Sequence, residues 1–257
     1  MLKQKIENGE KVIGMYVQLA DSSISKIVGR AGYDFIWVNN EHSYMSSETL
    51  LNHIFALRSV GAEIVVRVPQ NDLTHLKHVL EMGVDGIILP MVRSAEEANE
   101  MIAATLYPPL GTRGFGPMNA NDYGYESAAA YAEKSNRDLC RFIQIEHKDA
   151  VEHMAEIIRN PYIDGYIIGP NDMSGSYGML GDVFSKPMTD IIRGVVDFLH
   201  QNGKYVGIAA GGCTEDVLAH WSSFGVDLLT GGADFDFLRE MAIKNRALLE
   251  KIHKTKR

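Results

Sequence analysis

Cysteine and long apolar runs are both scarce in this chain of 257 residues. The two cysteines, Cys140 and Cys213, are too few for a disulfide framework, which is typical of a reducing compartment. No apolar run approaches the roughly 20 residues that a membrane-spanning helix needs. The first residues, MLKQKIENGEKV, are polar where a secretory signal would be apolar. These absences lead us to expect a cytoplasmic protein with no membrane partner.

A basic surface is also missing from the sequence. Lys and Arg number 25 against 33 Asp and Glu, a formal net charge of -8, whereas proteins that bind nucleic acids usually carry a basic patch. The acidic residues are spread along the chain, so we interpret them as a source of solubility and expect no nucleic-acid partner. Hydrophobic residues make up 46% of the chain, which is enough for a sizeable globular core.

Eight short apolar segments alternate with longer amphipathic segments. The short segments are rich in Ile, Val or aromatic residues and are bounded by Gly, Pro, Asn or Asp, which is typical of strands. The predicted strands are Val12–Gln18, Phe35–Asn39, Ile64–Val68, Gly86–Pro90, Arg141–Glu146, Gly165–Gly169, Tyr205–Ala209 and Asp227–Gly231. The predicted helices are Ser46–Val60, Asp72–Met82, Ser94–Leu106, Asp149–Arg159, Lys186–Gln201, Thr214–Phe224 and Phe235–His253.

This repeated order of strand and helix predicts an α/β fold with parallel strands. A closed barrel of eight such units usually takes about 250 residues in one domain. Eight strands in a chain of this length favour that barrel over an open doubly wound sheet. We therefore expect a single (β/α)8 TIM barrel over residues 1–257.

One segment departs from the alternation, at residues 107–138 (YPPLGTRGFGPMNANDYGYESAAAYAEKSNRD). Long irregular connections in compact domains are usually functional loops or lids. The segment lies between the fourth and fifth predicted strands, so we expect a loop insertion that covers the carboxyl ends of the strands. The alternative is a surface excursion without a role at the site.

Two acidic residues end neighbouring predicted strands. Glu146 ends the fifth strand, and Asp172 follows the sixth. Since catalytic residues in such barrels lie at the carboxyl ends of strands, these carboxylates can converge. Two carboxylates with waters and a chelating substrate suit a hard cation such as Mg²⁺ or Mn²⁺. The alternative is that each one caps a helix or pairs with a surface lysine, and Asp172 could cap a short helix over Met173–Tyr177.

Arg67 and His42 also follow predicted strands. Arginine at the end of the apolar run EIVVR is costly to bury unless it is paired. It could hold a carboxylate or a developing oxyanion, or it could form a structural ion pair with Glu41 or Glu81. His42 is a candidate acid–base group by its position alone, and the alternative is an ordinary loop histidine.

No lysine ends a predicted strand. Lys204 precedes the seventh strand and so belongs to the opposite face, and Lys148 comes after Glu146 near the start of a helix. A strand-end lysine would be expected for Schiff-base chemistry. Its absence favours metal activation over an imine-forming aldolase.

Glycine pairs follow the last two predicted strands, as Gly211-Gly212 and Gly231-Gly232. Loops at these positions often bind phosphate in barrels, so the substrate could carry a phosphate group. The alternative is that the glycines only permit tight turns.

Five motifs carry a resemblance to a known family. In chain order they are Glu41-His42, Arg67, Tyr107–Gly114 (YPPLGTRG), Gln144-Ile145-Glu146 and Gly169–Ser174 (GPNDMS). With these motifs the chain resembles the HpcH/HpaI aldolase family, which comprises class II pyruvate-type aldolases of the phosphoenolpyruvate/pyruvate barrel superfamily. The likeness runs from about Gly14 to Gly232.

The resemblance implies a role for each matching residue. Glu146 and Asp172 match the ligands of a divalent cation, Mg²⁺ or Mn²⁺ with Co²⁺ as a further possibility. Arg67 matches the arginine beside the keto or enolate oxygen, and His42 matches the acid–base histidine. The remaining matches are to substrate-binding groups: Gln144, and the backbone of Gly169, Pro170, Asn171 and Asp172, of which Pro170 has no N–H to donate. The implied partners are a pyruvate-like 2-oxo acid, an aldehyde and further copies of the chain in a homohexamer.

The chain departs from the family pattern at Asn39, Glu81 and Ala209, and the pair Gly211-Gly212 after Ala209 is also unusual for the family. Asn39 stands where the family usually has aspartate, and Glu81 stands where it often has an aspartate that partners the histidine. We therefore include Glu81 among the candidate catalytic residues, since a carboxylate beside His42 would raise its basicity. Ala209 replaces a larger apolar residue of the pocket wall.

The favoured function is cleavage or formation of a 4-hydroxy-2-oxo acid through a pyruvate enolate. The glycine pairs leave open a related barrel lyase acting on an acyl-CoA or phosphorylated substrate. Asn39 leaves open a catalytically weakened homologue that only binds 2-oxo acids.

Overall fold

The chain folds as a closed barrel of eight parallel strands in a computed structural model that describes residues 1–254. Each strand pairs with its neighbours in chain order, and the eighth pairs with the first. The strands are β1 Val12–Val17, β2 Phe35–Asn39, β3 Ile64–Arg67, β4 Gly86–Leu89, β5 Cys140–Ile145, β6 Gly165–Ile168, β7 Val206–Ala209 and β8 Leu228–Ala233. The predicted TIM barrel is confirmed, and every predicted strand bound lies within two residues of the observed one.

Helices connect consecutive strands and cover the outside of the barrel. They are α1 Leu2–Glu7, α2 Ser22–Val28, α3 Ser47–Arg58, α4 Leu73–Glu81, α5 Ala95–Ala103, α6 Ala128–Asp138, α7 Lys148–Glu152, α8 Met154–Ile157, α9 Pro170–Ser176, α10 Lys186–Gln201, α11 Glu215–Ser222 and α12 Asp234–His253. The helix predicted over 149–159 is divided into α7 and α8, because His153 between them has non-helical backbone angles. Within residues 1–254, no helix is both long and apolar enough to cross a membrane.

Side chains alternate between the barrel interior and the layer under the helices. Along β2, Ile36 and Val38 belong to the outer core, whereas Phe35 and Trp37 pack inside the barrel with Phe142 of β5. All five are almost fully buried. Because successive residues of a strand face opposite sides, the next inward positions after these aromatic rings lie at the carboxyl ends of the strands. Those positions decide what the mouth of the barrel contains.

The amino-terminal rim of the barrel is closed by four aspartates, one before each even-numbered strand. Asp34, Asp85, Asp164 and Asp227 each accept a hydrogen bond from a backbone N–H near the start of the preceding odd-numbered strand. The donors are Ile13 at 2.8 Å, Ile64 at 2.8 Å, Arg141 at 2.8 Å and Val206 at 2.9 Å. Three of the aspartates also form ion pairs, Asp34 with Lys5, Asp85 with Arg58 and Asp164 with Lys3, and Asp227 contacts Nε2 of His200 at 3.0 Å. This end of the barrel therefore serves stability.

The segment at residues 107–138 lies near the amino-terminal rim and does not cover the barrel mouth. It contains a 3₁₀ helix, Asn119–Gly124, and then α6. Asn119 donates a hydrogen bond to the carbonyl oxygen of Met82, at the end of α4, at 2.7 Å. The expectation of a lid is therefore wrong. The insertion follows α5 rather than a strand, and a helix that returns antiparallel to the barrel strands ends at their amino-terminal side.

The last helix, α12, leaves most of its apolar side chains exposed. Those that are more than half exposed are Leu238, Met241, Ile243, Leu248, Leu249 and Ile252. Asp234, in the first turn, is the buried residue of this helix. In this chain, α12 therefore presents an apolar surface that the barrel does not cover.

Candidate active site

A cavity of about 220 Å³ opens at the carboxyl ends of the strands. Most residues that the sequence nominated line it: His42, Arg67, Gln144, Glu146, Gly169, Pro170, Asn171 and Asp172. They come from the ends of β2, β3, β5 and β6. Catalytic residues of such barrels are typically contributed by several strand ends on this face. The cavity is therefore the candidate active site.

Strand register explains why polar side chains meet in this cavity. Asn39 and Arg67 are partners in the pairing of β2 with β3. They continue the inward-facing positions of Trp37 and Val65, and Gln144 continues that of Phe142 on β5. The guanidinium of Arg67 lies 5.4 Å from the centre of the Trp37 ring. The top inward layer of the barrel is thus polar and rests on an aromatic floor.

Arg67 is almost fully buried and is held by three neighbours. Its Nε and Nη2 donate to Oδ1 of Asn39 at 3.1 and 2.9 Å, and its Nη1 donates to Oε1 of Gln144 at 3.1 Å. Oε2 of Glu41 forms an ion pair with Nη1 at 3.0 Å. The interpretation of Arg67 as a partner of Glu41 is confirmed, and the alternative partner Glu81 is not found there. These contacts stabilise a buried cation that would otherwise be costly.

Glu146 lies at the bottom of the cavity and is 1% exposed. Its Oε2 accepts from Nε2 of Gln144 at 2.8 Å, and its Oε1 accepts from the backbone N–H of Met91 at 2.6 Å. Burial raises the pKa of Glu146 to about 7, and nearby Asp172 adds to that rise, while the Met91 N–H and Arg67 oppose it. Gln144 therefore bridges the cationic and anionic groups of the site.

Two backbone features let Glu146 occupy this position. A Cβ at Gly169 would overlap Oε2 of Glu146, so the end of β6 needs glycine at this close approach. Met91, which follows β4, has a φ of 51°, which is uncommon for a residue with a side chain. Such a conformation costs on the order of 1–3 kcal/mol and often marks a functional site. No sequence signal pointed to Met91.

Asp172 lies in the first turn of α9 and is exposed to the cavity. Its carboxylate forms no hydrogen bond or ion pair with the part of the chain that the structure describes. The helix begins at Pro170, so Asp172 is within the first turn and does not cap a helix over Met173–Tyr177; that alternative is wrong. Gly169 occupies the cap position instead. Asp172 is thus available to a ligand.

Glu146 and Asp172 supply carboxylate oxygens, the type of ligand that a hard divalent cation prefers. Glu146 is anchored by Gln144 and by the Met91 N–H, and the carboxylate of Asp172 has no partner within residues 1–254. The described residues include no group of three or more His, Cys, Asp or Glu side chains placed to hold a metal. A cation such as Mg²⁺ accepts one or two carboxylates when waters and substrate oxygens complete its shell. The cavity has space for these further ligands.

His42 stands at the rim of the cavity with Glu41 as its acidic neighbour. Its Nε2 lies 3.7 Å from Oε2 of Glu41, and its backbone N–H donates to Oδ1 of Asn39 at 3.3 Å. Burial raises the pKa of Glu41, while Arg67 and His42 lower it. Sequence reasoning considered Glu41 only as a partner of Arg67. The structure places it between Arg67 and His42.

Glu81 is not brought to this site within the chain. It is the last residue of α4, next to the segment that lies near the amino-terminal rim, and its Oε1 is close to Gly116. A helix that returns antiparallel to the strands carries its last residue away from the carboxyl ends. The predicted pairing of Glu81 with His42 is therefore absent from the described residues of one chain.

Other residues of the cavity were missed by sequence reasoning. Tyr16, Gln18, Phe235 and Asp236 line it from β1, the turn after β1 and the start of α12. The hydroxyl of Tyr16 shares a hydrogen bond of 2.6 Å with Thr230, and burial raises its pKa to about 12. Tyr16 and Phe235 read as ordinary apolar residues of a strand and a helix. Only the alternation that placed Tyr16 inside the barrel could have found it.

Acidic residues near the glycine pairs disfavour a phosphate site there. Gly211 and Gly232 line the cavity, but the first turn of α12 carries Asp234 and Asp236. Carboxylates at a helix amino terminus occupy the positions that would otherwise attract an anion. A Cβ at Gly232 would overlap the ring of Phe237, which gives that glycine a packing role.

The chain is similar in sequence to a known protein family and to named aldolases. The sequence profile of the HpcH/HpaI aldolase/citrate lyase family matches residues 12–215. A hydroxypyruvate/pyruvate aldolase of Delftia acidovorans is 31% identical over 243 residues, which are 95% of this chain and 90% of the relative. A 4-hydroxy-2-oxo-heptane-1,7-dioate aldolase of Escherichia coli is 28% identical over 240 residues, 93% of this chain and 91% of the relative.

A solved structure shows the same similarity in three dimensions. The HpcH/HpaI aldolase from Desulfitobacterium hafniense DCB-2 matches with a TM-score of 0.89 and 26% sequence identity. The match covers 100% of this chain and 99% of that one. The fold, the residues at the mouth of the barrel and the sequence match together show that the chain belongs to the HpcH/HpaI aldolase/citrate lyase family.

Proposed function

We propose that the chain is an aldolase that cleaves or forms a 4-hydroxy-2-oxo acid through the enolate of a pyruvate-like 2-oxo acid. The observation that carries this proposal is the position of Arg67 in one cavity with Glu146 and Asp172. A positive group and a pair of carboxylates then face the same small volume. That combination suits a substrate whose keto oxygen becomes negatively charged.

We propose Glu146 and Asp172 as the residues that would hold a divalent cation, Mg²⁺ or Mn²⁺ with Co²⁺ as a further possibility. Such a cation supplies Lewis-acid stabilisation of the charge that develops on the 2-oxo acid. Gln144 fixes Glu146 by donating to its Oε2 at 2.8 Å. The carboxylate of Asp172 forms no hydrogen bond or ion pair within residues 1–254 and is therefore available to a ligand.

Arg67 would stabilise the oxygen on which charge develops. A guanidinium has five N–H donors, and Asn39 and Gln144 accept three of them. The two remaining N–H groups are available to Glu41 and to a substrate oxygen. Because Asn39 and Gln144 orient the group before substrate arrives, little reorganisation is needed during the reaction.

His42 is the proposed acid–base group. It lies at the cavity rim, where it can take the proton of the aldol hydroxyl during cleavage and return it during synthesis. Glu41, 3.7 Å from its Nε2, would stabilise the protonated ring. Glu41 would thereby act as the carboxylate partner of His42, a role that the sequence assigned to Glu81.

The two alternative functions find less support. A phosphorylated or acyl-CoA substrate would bring phosphate groups to a mouth that carries Asp234 and Asp236. A protein that only binds 2-oxo acids was suggested by Asn39. In the structure, however, Asn39 accepts a hydrogen bond from Arg67, and the carboxylate of Glu41 lies 3.7 Å from His42. A carboxylate beside the histidine is therefore present despite Asn39.

We also propose that the chain forms a homo-oligomer. The apolar surface of α12 is left uncovered by its own barrel. Exposed apolar patches of this kind usually mark contact surfaces between proteins. A hexamer, as the family resemblance implies, stays a prediction.

Cleavage of a synthetic 4-hydroxy-2-oxo acid, followed by the pyruvate released, tests the proposed function. We expect release in the presence of Mg²⁺ or Mn²⁺ and a loss of at least about 100-fold in Asp172→Asn, since electrostatic groups at reacting oxygens commonly contribute that much. Asp190→Asn makes the same change on the exposed face of α10 and should leave the rate unchanged. No release with any divalent cation would overturn the proposal.

A further inference from the structure

A second cavity of about 440 Å³ adjoins the first at the mouth of the barrel. The two share Gln18, His42 and Phe235. They therefore form one cleft, with Arg67 and Glu146 at its inner end and Tyr44 at its outer end. This inference rests on the function proposed above, which places the 2-oxo acid at the inner end.

The position of His42 assigns the outer cavity to the aldehyde. In the direction of synthesis, the methyl-derived carbon of the enolate bonds to the aldehyde carbon, and the aldehyde oxygen takes a proton to become the hydroxyl. In cleavage that bond breaks and the proton leaves the hydroxyl. A group that moves this proton must lie within reach of the aldehyde oxygen. Since His42 lines both cavities, the aldehyde belongs between the enolate and the outer cavity.

The charges along this cleft disfavour an anionic aldehyde. Glu41 and Asp236 line it together with the two proposed cation ligands. Among the described residues that line either cavity, Arg67 is the one lysine or arginine, and it is already held by Asn39, Gln144 and Glu41. A carboxylate on the aldehyde would be removed from water without a lysine or arginine partner, which is costly.

Two uncharged side chains remain to recognise the aldehyde. Gln18 is half-buried where the two cavities meet, and its side-chain amide makes no hydrogen bond within residues 1–254. It therefore offers two donors to a hydroxyl or carbonyl oxygen and an acceptor to a hydroxyl group. Phe235 is 38% exposed at the same place and offers an apolar face to a short carbon chain.

We propose that the aldehyde partner of this protein is uncharged, with its oxygen atoms bound by Gln18 and its carbon chain packed on Phe235. Gln18 and Phe235 are then specificity-determining residues. The sequence relatives include an aldolase named for a 1,7-dioate, a product with a second carboxylate. Apart from Arg67, the present chain offers no lysine or arginine for that carboxylate among the described residues of its cleft.

Two aldehydes of four carbons provide a direct test. Butanal and succinic semialdehyde differ in that a methyl group replaces a carboxylate, and glyceraldehyde adds hydroxyl groups. With pyruvate and Mg²⁺, we expect kcat/KM for butanal and glyceraldehyde to exceed that for succinic semialdehyde by about tenfold or more, because an unpaired carboxylate is rejected. Equal or greater kcat/KM for succinic semialdehyde would overturn the inference.

A positive charge introduced at position 18 tests whether Gln18 contacts the aldehyde. Gln18→Arg should raise kcat/KM for succinic semialdehyde relative to butanal by about tenfold, as a new ion pair across a binding site can do. Gln70→Arg is the control, because Gln70 lines a neighbouring cavity that includes Glu41 but not His42. This variant should leave the ratio of kcat/KM for succinic semialdehyde to that for butanal at the wild-type value. An unchanged ratio in Gln18→Arg would contradict the assignment.

Two further measurements keep the test decisive. If Gln18→Arg does not fold, as judged by its thermal transition, Phe235→Ala should raise KM for butanal several-fold and leave KM for pyruvate unchanged; equal changes in both would contradict the inference. Exchange of pyruvate methyl protons in wild-type protein needs no aldehyde. Exchange without the expected aldehyde preference overturns this inference alone, whereas absence of exchange overturns the proposed function.

Discussion

Asn39 accepts two hydrogen bonds from Arg67 on one amide oxygen, at 3.1 Å from Nε and 2.9 Å from Nη2. The same oxygen accepts the backbone N–H groups of Glu41 and His42 at 3.2 and 3.3 Å. Its amide nitrogen is buried without a hydrogen-bond partner in the described chain. One neutral acceptor therefore orients both the cation that faces the substrate and the loop that carries the acid–base histidine.

Two replacements of Asn39 should distinguish the contribution of its acceptor oxygen to stability from that of its amide nitrogen. Asn39→Ala leaves buried donors of Arg67 unpaired, and we expect the free energy of unfolding to fall by about 2–3 kcal/mol. Asn39→Asp keeps the acceptor and removes the unpartnered amide, so it should lie within about 1 kcal/mol of wild type. Urea unfolding of the three proteins measures both values. A larger loss in Asn39→Asp than in Asn39→Ala would contradict this role.

The raised pKa of Glu146 predicts a pH-dependent stability in cation-free protein. Burial moves its pKa from 4.5 to about 7, so the folded state binds this proton more tightly than the unfolded state does. The contribution of Glu146 to stability is then fully present below about pH 4.5 and is lost as pH rises through about 7. At 1.36 kcal/mol per unit of pKa, the loss is about 3 kcal/mol.

The matched variants Glu146→Gln and Glu152→Gln isolate this effect. Glutamine at position 146 does not titrate, so the difference in unfolding free energy between wild type and Glu146→Gln should shift by about 3 kcal/mol between pH 4.5 and 8, in favour of the variant as pH rises. Glu152 lies on the exposed surface of α7, and its variant should follow wild type at every pH. A difference independent of pH would show that Glu146 titrates normally.

The amino-terminal rim should affect stability without affecting the site. Asp164 accepts the backbone N–H of Arg141 at 2.8 Å and pairs with Lys3. Asp164→Ala should lower the free energy of unfolding by about 2 kcal/mol, because a buried donor loses its partner. Asp190→Ala removes an exposed ion pair with Lys186 and should cost less than about 1 kcal/mol. KM for pyruvate should be unchanged in both, and a changed KM in Asp164→Ala would contradict the division between the two ends.

The exposed face of α12 predicts self-association. We expect wild-type protein to sediment as an oligomer. The double variant Leu248→Glu/Ile252→Glu should sediment as a smaller species, because charge in an apolar interface is costly. Leu180→Glu changes another exposed leucine, 81% accessible before α10, and should leave the sedimentation coefficient unchanged. A wild-type monomer would show that this face has another role.

The barrel could be predicted from sequence because its strands and helices have local signatures. Apolar segments such as Phe35–Asn39 and Gly165–Gly169 end at Asn or Gly-Pro, and the carboxyl ends of parallel strands meet on one face. Glu146, Asp172, Arg67 and Gln144 were therefore found together in the cavity as expected. The match of the motifs to the HpcH/HpaI family identified the same residues.

Features that depend on tertiary geometry were not predictable in this way. The positive φ of Met91 and the position of Phe235 have no local signature. Glu81 was assigned by motif position, but the direction of α4 carries it away from the mouth. The segment at 107–138 was expected at the carboxyl ends of the strands because it lies between the fourth and fifth strands, but it follows α5 and therefore lies near the opposite rim.

Glu146 and Asp172 are proposed to support a pyruvate enolate, and exchange of pyruvate methyl protons with deuterium oxide measures formation of this enolate without the aldol step. We expect wild-type protein to exchange these protons with Mg²⁺ or Mn²⁺, to lose exchange when the cation is chelated, and to regain it on readdition. Asp172→Asn should remain folded, since its carboxylate has no intramolecular partner within residues 1–254, and should lose exchange. Exchange that persists in Asp172→Asn, or is absent from wild type with every cation, would contradict this role of the two carboxylates.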